Sequence, residues 1–172
     1  MKIIDFLKND APHISCELFP PKKWENIEAA RKVVAETALL KPDYMSVTYG
    51  ATGGTSKYTV DLVDEVQNKC GIPALGHLTC VSSDRETVDA MVRSYKEHGI
   101  ENILALRGDI PSGSDFEPSK DFKHACDLMA EIKSKGISRK PLWRRWPSSS
   151  VHTTISTTMV PRSSRSATMC RT

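Results

Sequence analysis

Glu17 stands where a carboxyl group could do chemistry. It lies in the run ISCELF (14–19), with Cys16, Leu18 and Phe19 as its neighbours. Apolar surroundings disfavour the charged form, so such a carboxyl can hold a proton near neutral pH and act as a general acid. The alternative is a carboxylate at a strand end, exposed or paired with Lys22 or Lys23. Asp109, in ALRGD (105–109), follows an apolar run and precedes Ile110-Pro111, which puts it on the loop beyond a strand. After Gly108 it also fits as a turn-forming aspartate. The segment YGATGGTSKYT (49–59) is rich in glycine and would let backbone N–H groups approach a ligand, or serve as a mobile loop. It lacks the G-K-[ST] ending of a Walker loop. His77 and Cys80 form H-x-x-C with nothing to complete a metal site, so a strand histidine satisfied by a neighbour is expected.

These residues need elements to hold them. Four β-rich runs begin at Ile14, Tyr44, Pro73 and Asn102, at steps of about 30 residues. Each is followed by a helical pattern. The first, from about Trp24 to Leu40, buries Ile27, Ala30, Val34 and Ala38, and the second, about 59–70, offers Val60, Val63 and Val66. In the third, Val88, Met91, Val92 and Tyr95 share one face, Ser83 and Glu86 suggest a capping box, and Gly99 suits the C-terminal cap. In the fourth, Phe122, Ala125, Met129 and Ile132 share a face, with Ser119 as the expected N-cap.

Strand–helix alternation at this spacing means parallel strands joined by right-handed crossovers. A doubly wound sheet that binds dinucleotides would carry G-x-G-x-x-G after the first strand, where this chain has Phe19-Pro20-Pro21-Lys22. Glu17, Thr48, Tyr49, His77 and Asp109 collect at strand ends and in the loops that follow, and a barrel keeps its active site at that rim. The expected fold is α/β: the first four βα units of a (β/α)8 barrel of the TIM type, spanning 1–136.

The composition changes abruptly at Gly136. All 21 acidic residues and all nine glycines lie at or before it, and residues 137–172 carry a charge of +7. The first 136 residues carry −4, so the net +3 is no argument for a nucleic-acid partner. The Ser/Thr/Arg-rich stretch 137–172 reads as a basic disordered arm or as an out-of-frame segment, and no stable fold is expected for it. The five cysteines are widely spaced and odd in number, which argues for reduced thiols. No apolar run approaches the roughly 20 residues of a membrane span, and MKIIDFLKND is no secretory signal. A cytoplasmic protein without membrane partners is expected.

Four segments, SCELFPPK (15–22), MSVTYGATGG (45–54), GHLTC (76–80) and ILALRGDIP (103–111), taken in order, resemble the methylenetetrahydrofolate reductase family. The resemblance covers about residues 1–136. It implies a (β/α)8 barrel that holds FAD at its rim and moves hydride from NADH or NADPH to 5,10-methylenetetrahydrofolate. It implies a small-molecule folate partner; family members commonly associate as homo-oligomers, and the oligomeric state of this chain is left open. Carried over by position, Glu17 would be the general acid that helps open the folate ring to the iminium. Asp109 would lie by the flavin and pterin. Thr48, Tyr49 and Ala51 would line the flavin and nicotinamide positions; His77, Leu106, Arg107 and Gly108 would meet the flavin and its ribityl-phosphate chain. His124 and Ala125 match a further FAD contact. Motifs for strands five to eight are not found in 137–172, so the chain is expected to be inactive alone, or to be a non-catalytic half-barrel that assembles with another copy or a complementary half.

Overall fold

Four runs with apolar side chains at alternate positions form the strands of the computed structural model, which describes residues 2–6, 12–50, 56–110, 117–136 and 153–156. They are β1 (Ile14–Leu18), β2 (Tyr44–Val47), β3 (Ala74–Thr79) and β4 (Ile103–Leu106). All pair in parallel in the spatial order β4-β3-β2-β1, with Cys16 opposite Met45, Met45 opposite Ala74 and Gly76 opposite Ile103. A monotone order means that every crossover turns the same way. For β1 to β4 that agrees with part of a TIM-type barrel; a fifth strand, given below, lies on the far side of β1. The described strands form an open sheet.

Each crossover carries a helix. A 3-10 turn, Trp24–Asn26, leads into α2 (Ile27–Ala38). Helix α3 (Ser56–Asp64) runs on through a π turn over Glu65–Lys69. Then come α4 (Arg85–Glu97) and α5 (Ala125–Ser134). Cys16, Leu18, Met45, Val47 and Leu78 from the sheet join Val34, Val63, Val88 and Val92 from the helices in the main core. The other face of the sheet has a small apolar floor of Tyr44, Leu75 and Leu104, closed by Ile3 of the short helix α1 (Ile3–Phe6). Asn102 fixes that floor: its side chain accepts from the Ile3 N–H at 3.0 Å and donates to the Ala74 carbonyl at 3.2 Å.

The caps differ from expectation at two helices. Helix α4 is capped by Asp84, whose Oδ1 accepts from the Thr87 N–H at 2.8 Å, and not by Ser83, which is fully buried one residue earlier. Hydrogen bonds from Thr87, side chain and backbone, hold the Asp84 carboxyl below its usual range. Helix α5 begins after His124, not after Ser119, and Phe122 is a buried residue ahead of the helix. Here Asp127 does the capping: its Oδ2 accepts from the N–H of His124 at 3.0 Å and of Lys123 at 3.2 Å. The C-terminal cap of α4 is as expected, with Gly99 at φ +68° and the Ile100 N–H bonded to the Tyr95 carbonyl at 2.8 Å.

One short segment of the tail is described. Residues Thr153–Ser156 form β5, parallel to β1, with Cys16 opposite Ile155 and Glu17 opposite Ser156. Three successive β-branched residues suit an extended strand, and β1 offers it an edge of backbone donors and acceptors. The rest of 137–172 lies outside the described residues.

Gly76 lets α4 approach β3. A Cβ built there would lie 2.7 Å from the Tyr95 ring, and Tyr95 is fully buried, with its hydroxyl donating to the His77 carbonyl at 3.2 Å. A rigid ring in a closed core cannot yield cheaply. Gly76→Ala is expected to lower unfolding stability by about 2 kcal/mol in urea titration, and an unchanged midpoint would refute the contact.

Candidate functional site

Alternation along the strands sorts their side chains. Cys16 and Leu18 enter the helix-side core, so Glu17 stands on the opposite, inner face; the same logic sets Ser46, Thr48, His77, Thr79, Leu104 and Leu106 there. Glu17 is in register with Ser46, Ser46 with Leu75, His77 with Leu104, and Thr79 with Leu106. The inner face therefore mixes polar and apolar side chains in register: the apolar patch of Tyr44, Leu75 and Leu104, closed by Ile3, shares rows with Glu17, Ser46 and His77.

Glu17 is half-buried, and among the described residues its carboxyl makes no ion pair and no side-chain hydrogen bond, so the pairing with Lys22 or Lys23 is not found. Glu17 touches a cavity of about 150 Å³, whose other walls, including Leu18, Ala30, Val34 and Leu62, lie between β1 and the helices. Asp109 does not line that cavity. It is exposed beyond the end of β4. Three inter-strand steps separate β1 from β4, on the order of 14 Å along the sheet. The structure puts the two carboxyl groups at the same end of the sheet without bringing them together in one cavity.

His77 is 7% exposed, and burial pushes its pKa down from 6.5 to about 4. Its imidazole is thus neutral near pH 7, with one nitrogen to donate and one to accept. Cys80 does not join it. The Cys80 thiol is buried in the helix-side core and donates to the Arg107 carbonyl at 3.3 Å, and burial raises its pKa. Among the described residues, no group of three His, Cys, Asp or Glu residues is arranged to hold a metal.

The exit of β4 is locked to the exit of β3. The N–H of Cys80 bonds to the Leu106 carbonyl and that of Val81 to the Arg107 carbonyl, both at 2.9 Å. Leu106 is half-buried, and Arg107 is exposed at the rim with no carboxylate on its guanidinium among the described residues. Gly108 turns the chain at φ +82°, and a Cβ there would lie 2.6 Å from Val81 Cγ1 and 3.1 Å from Thr79 Cβ. A left-handed conformation and a steric overlap act together, so Gly108→Ala should cost about 2 kcal/mol and displace the Arg107–Asp109 loop. Thermal unfolding checks the first point and tryptic cleavage at Arg107 the second; a variant matching the parent in both would refute the assignment.

Thr48 is half-buried; its N–H bonds to the Leu18 carbonyl at 2.9 Å, and its own carbonyl accepts from the Thr59 hydroxyl at 3.1 Å. That bond closes the glycine-rich loop across 11 residues. Thr59 ends the segment 49–59 read from the sequence, but its hydroxyl's bond to the Thr48 carbonyl is a tertiary contact that the sequence did not signal. Tyr49 is buried in the helix-side core, and Ala51 lies outside the described residues. His124 and Ala125 stand at the amino end of α5, His124 exposed and Ala125 half-buried.

A parallel sheet of β1 to β4 with a helix in each crossover agrees with part of a TIM-type barrel, a class that binds small molecules at the carboxyl ends of its strands. The model of the methylenetetrahydrofolate reductase family matches residues 2–139, and the chain belongs to that family. It is 37% identical over 141 residues to methylenetetrahydrofolate reductase 2 of Schizosaccharomyces pombe, covering 78% of this chain and 22% of that protein. It is 38% identical over 128 residues to the 5,10-methylenetetrahydrofolate reductase of Buchnera aphidicola, covering 73% and 41%. It is 32% identical over 136 residues to methylenetetrahydrofolate reductase (NADH) 1 of Zea mays, covering 78% and 23%. The chain thus spans less than half the length of these relatives. Among the described residues no helix is long and apolar enough to cross a membrane.

Proposed function

We propose that this chain carries the amino-terminal part of a flavin-dependent methylenetetrahydrofolate reductase site, with NADH or NADPH as hydride donor and 5,10-methylenetetrahydrofolate as acceptor. The observation that carries the reading is Glu17, half-buried without an ion-pair partner among the described residues, on the inner face beside Ser46. In this reading Glu17 gives its proton to folate N10 as the carbon–N10 bond breaks, which leaves the iminium at N5. Asp109 places negative charge near that cation.

The residues present fit FAD in three respects. His77 is neutral and can both donate and accept; Arg107 has an uncommitted guanidinium suited to phosphate oxygens; Gly108 brings the backbone into a tight turn beside it. Thr48, Tyr49, Ala51, Leu106, His124 and Ala125 complete the proposed set. When bound, FAD would supply the hydride chemistry that links the nicotinamide to the folate. The division at Gly136 and a cytoplasmic setting belong to the same reading. Purified chain should take up FAD in equilibrium titration and oxidise NADH or NADPH with an artificial acceptor. Failure to bind FAD at all would end this proposal.

A second reading is favoured by the edge of β4, which has no strand beside it among the described residues. It is a half-barrel that assembles with another copy or a complementary half. Light scattering that gives a monomer, with and without FAD, would remove it.

A further inference from the structure

A parallel barrel closes by laying its last strand beside its first, in the same direction. In this chain that place against β1 is filled by β5, which runs parallel to β1 with Ile14 opposite Thr153, Ser15 opposite Thr154, Cys16 opposite Ile155 and Glu17 opposite Ser156. Four of the five residues of β1 are thus paired on their outer side. Residues 137–152, 16 in number, separate β5 from the last βα unit. Extended chain of that length spans roughly 50 Å, against about 19 Å for the four inter-strand steps from β4 to β5. The far edge of the sheet is within its reach.

An open sheet edge is a row of backbone N–H and C=O groups that another chain can pair with. β1 has none of the usual safeguards: ISCEL holds no proline and no lysine, and Ile14 at its start is 53% exposed. Two uncovered copies of β1 could meet edge to edge about a twofold axis, running antiparallel. Charge favours a cover drawn from the same chain, because residues 137–172 carry +7 and residues 1–136 carry −4. We infer that Thr153–Ser156 is a self-supplied edge strand, seated where a barrel's closing strand would pair with β1, and that it keeps β1 from pairing with a second copy of this chain. Among the described residues β4 is then the open edge. An assembling half would enter there, or would have to displace β5. The inference stands apart from the flavin reading.

The test is hydrogen–deuterium exchange of the full chain, read on the peptide that holds residues 14–18, with sedimentation velocity on the same samples. Proline in a strand removes an N–H donor and crowds its neighbours. Thr154→Pro/Ile155→Pro should therefore speed exchange in that peptide about tenfold. It should leave the peptide that holds residues 103–106 unchanged and add a concentration-dependent species larger than any the parent forms. Ile155→Val keeps a β-branched residue and every donor, and should match the parent in both readouts. Thr154→Gly/Ile155→Gly keeps the donors while lowering strand preference, so it should give a smaller rise in the same peptide. That variant decides the matter if the proline variant also exchanges faster at 103–106. Equal exchange at 14–18 in the parent and both strand-breaking variants would show that the β1 edge is open, and would overturn the inference. Faster exchange without a larger species would leave the pairing but remove its shielding role, which overturns it as well. FAD uptake by the same samples reports separately on the reductase reading, since neither result depends on the other.

Discussion

Glu17→Gln is expected to lower folate-dependent turnover by about 10²- to 10⁴-fold while leaving NADH or NADPH oxidation by an artificial acceptor within about twofold of the parent. Glutamine keeps the shape and hydrogen-bonding reach of the carboxyl but has no acidic proton to give. In the proposed reaction the two halves would part because only the second breaks a carbon–nitrogen bond, and only that step needs a proton on the departing nitrogen. Packing does not blur the comparison, since the side chain lies on the inner face, opposite the core that Cys16 and Leu18 join. The measurement is a pair of steady-state assays on the same FAD-loaded preparation. Equal losses in both assays would show that Glu17 shapes the site without acting as its acid.

Most of the scaffold was legible because burial repeats along the chain. Tyr44 begins β2 as read, and the Val88, Met91, Val92, Tyr95 face of α4 is buried throughout. Gly99 marks the end of α4 with the positive φ that its position required. What escaped depends on contacts between residues far apart in sequence. Ser83 and Asp84 are both competent caps; the chain turns so that Ser83 is buried and Asp84 meets Thr87. Ser119 caps only a turn, its Oγ accepting from the Asp121 N–H at 3.3 Å, and the helix begins later, after His124. The strand at Thr153–Ser156 had β-branched residues to suggest it, but only the edge of β1 gives them a partner. The site divides in the same way. The inner-face position of Glu17 and His77 follows from period-two alternation, whereas the Thr59–Thr48 closure and the Gly76–Tyr95 approach are tertiary facts.

Between pH 6.5 and about 4 the chain should lose stability through one buried group. His77 titrates at about 4 in the folded state against an ordinary value of 6.5, and desolvation is the cause. In that window the unfolded chain binds a proton that the folded chain refuses, so stability falls as the pH falls. The contribution is complete above pH 6.5, declines as pH drops toward 4 and is gone below it, about 3 kcal/mol in all. Only 7% of the residue is exposed, so solvent screens little of this. Among the described residues no counter-charge shifts it: its register partner is Leu104, Leu75 and Thr79 flank it on its own strand, and half-buried Thr48 stands at the exit of β2. His77→Gln keeps a neutral donor and acceptor but cannot take up the proton. Urea midpoints measured from pH 7 to pH 4 should therefore diverge, with the parent falling more steeply and the variant nearly flat apart from what carboxylates contribute to both. Parallel slopes for the two proteins would mean that His77 is hydrated in the fold, and the neutral imidazole assigned to the inner face would have to be given up.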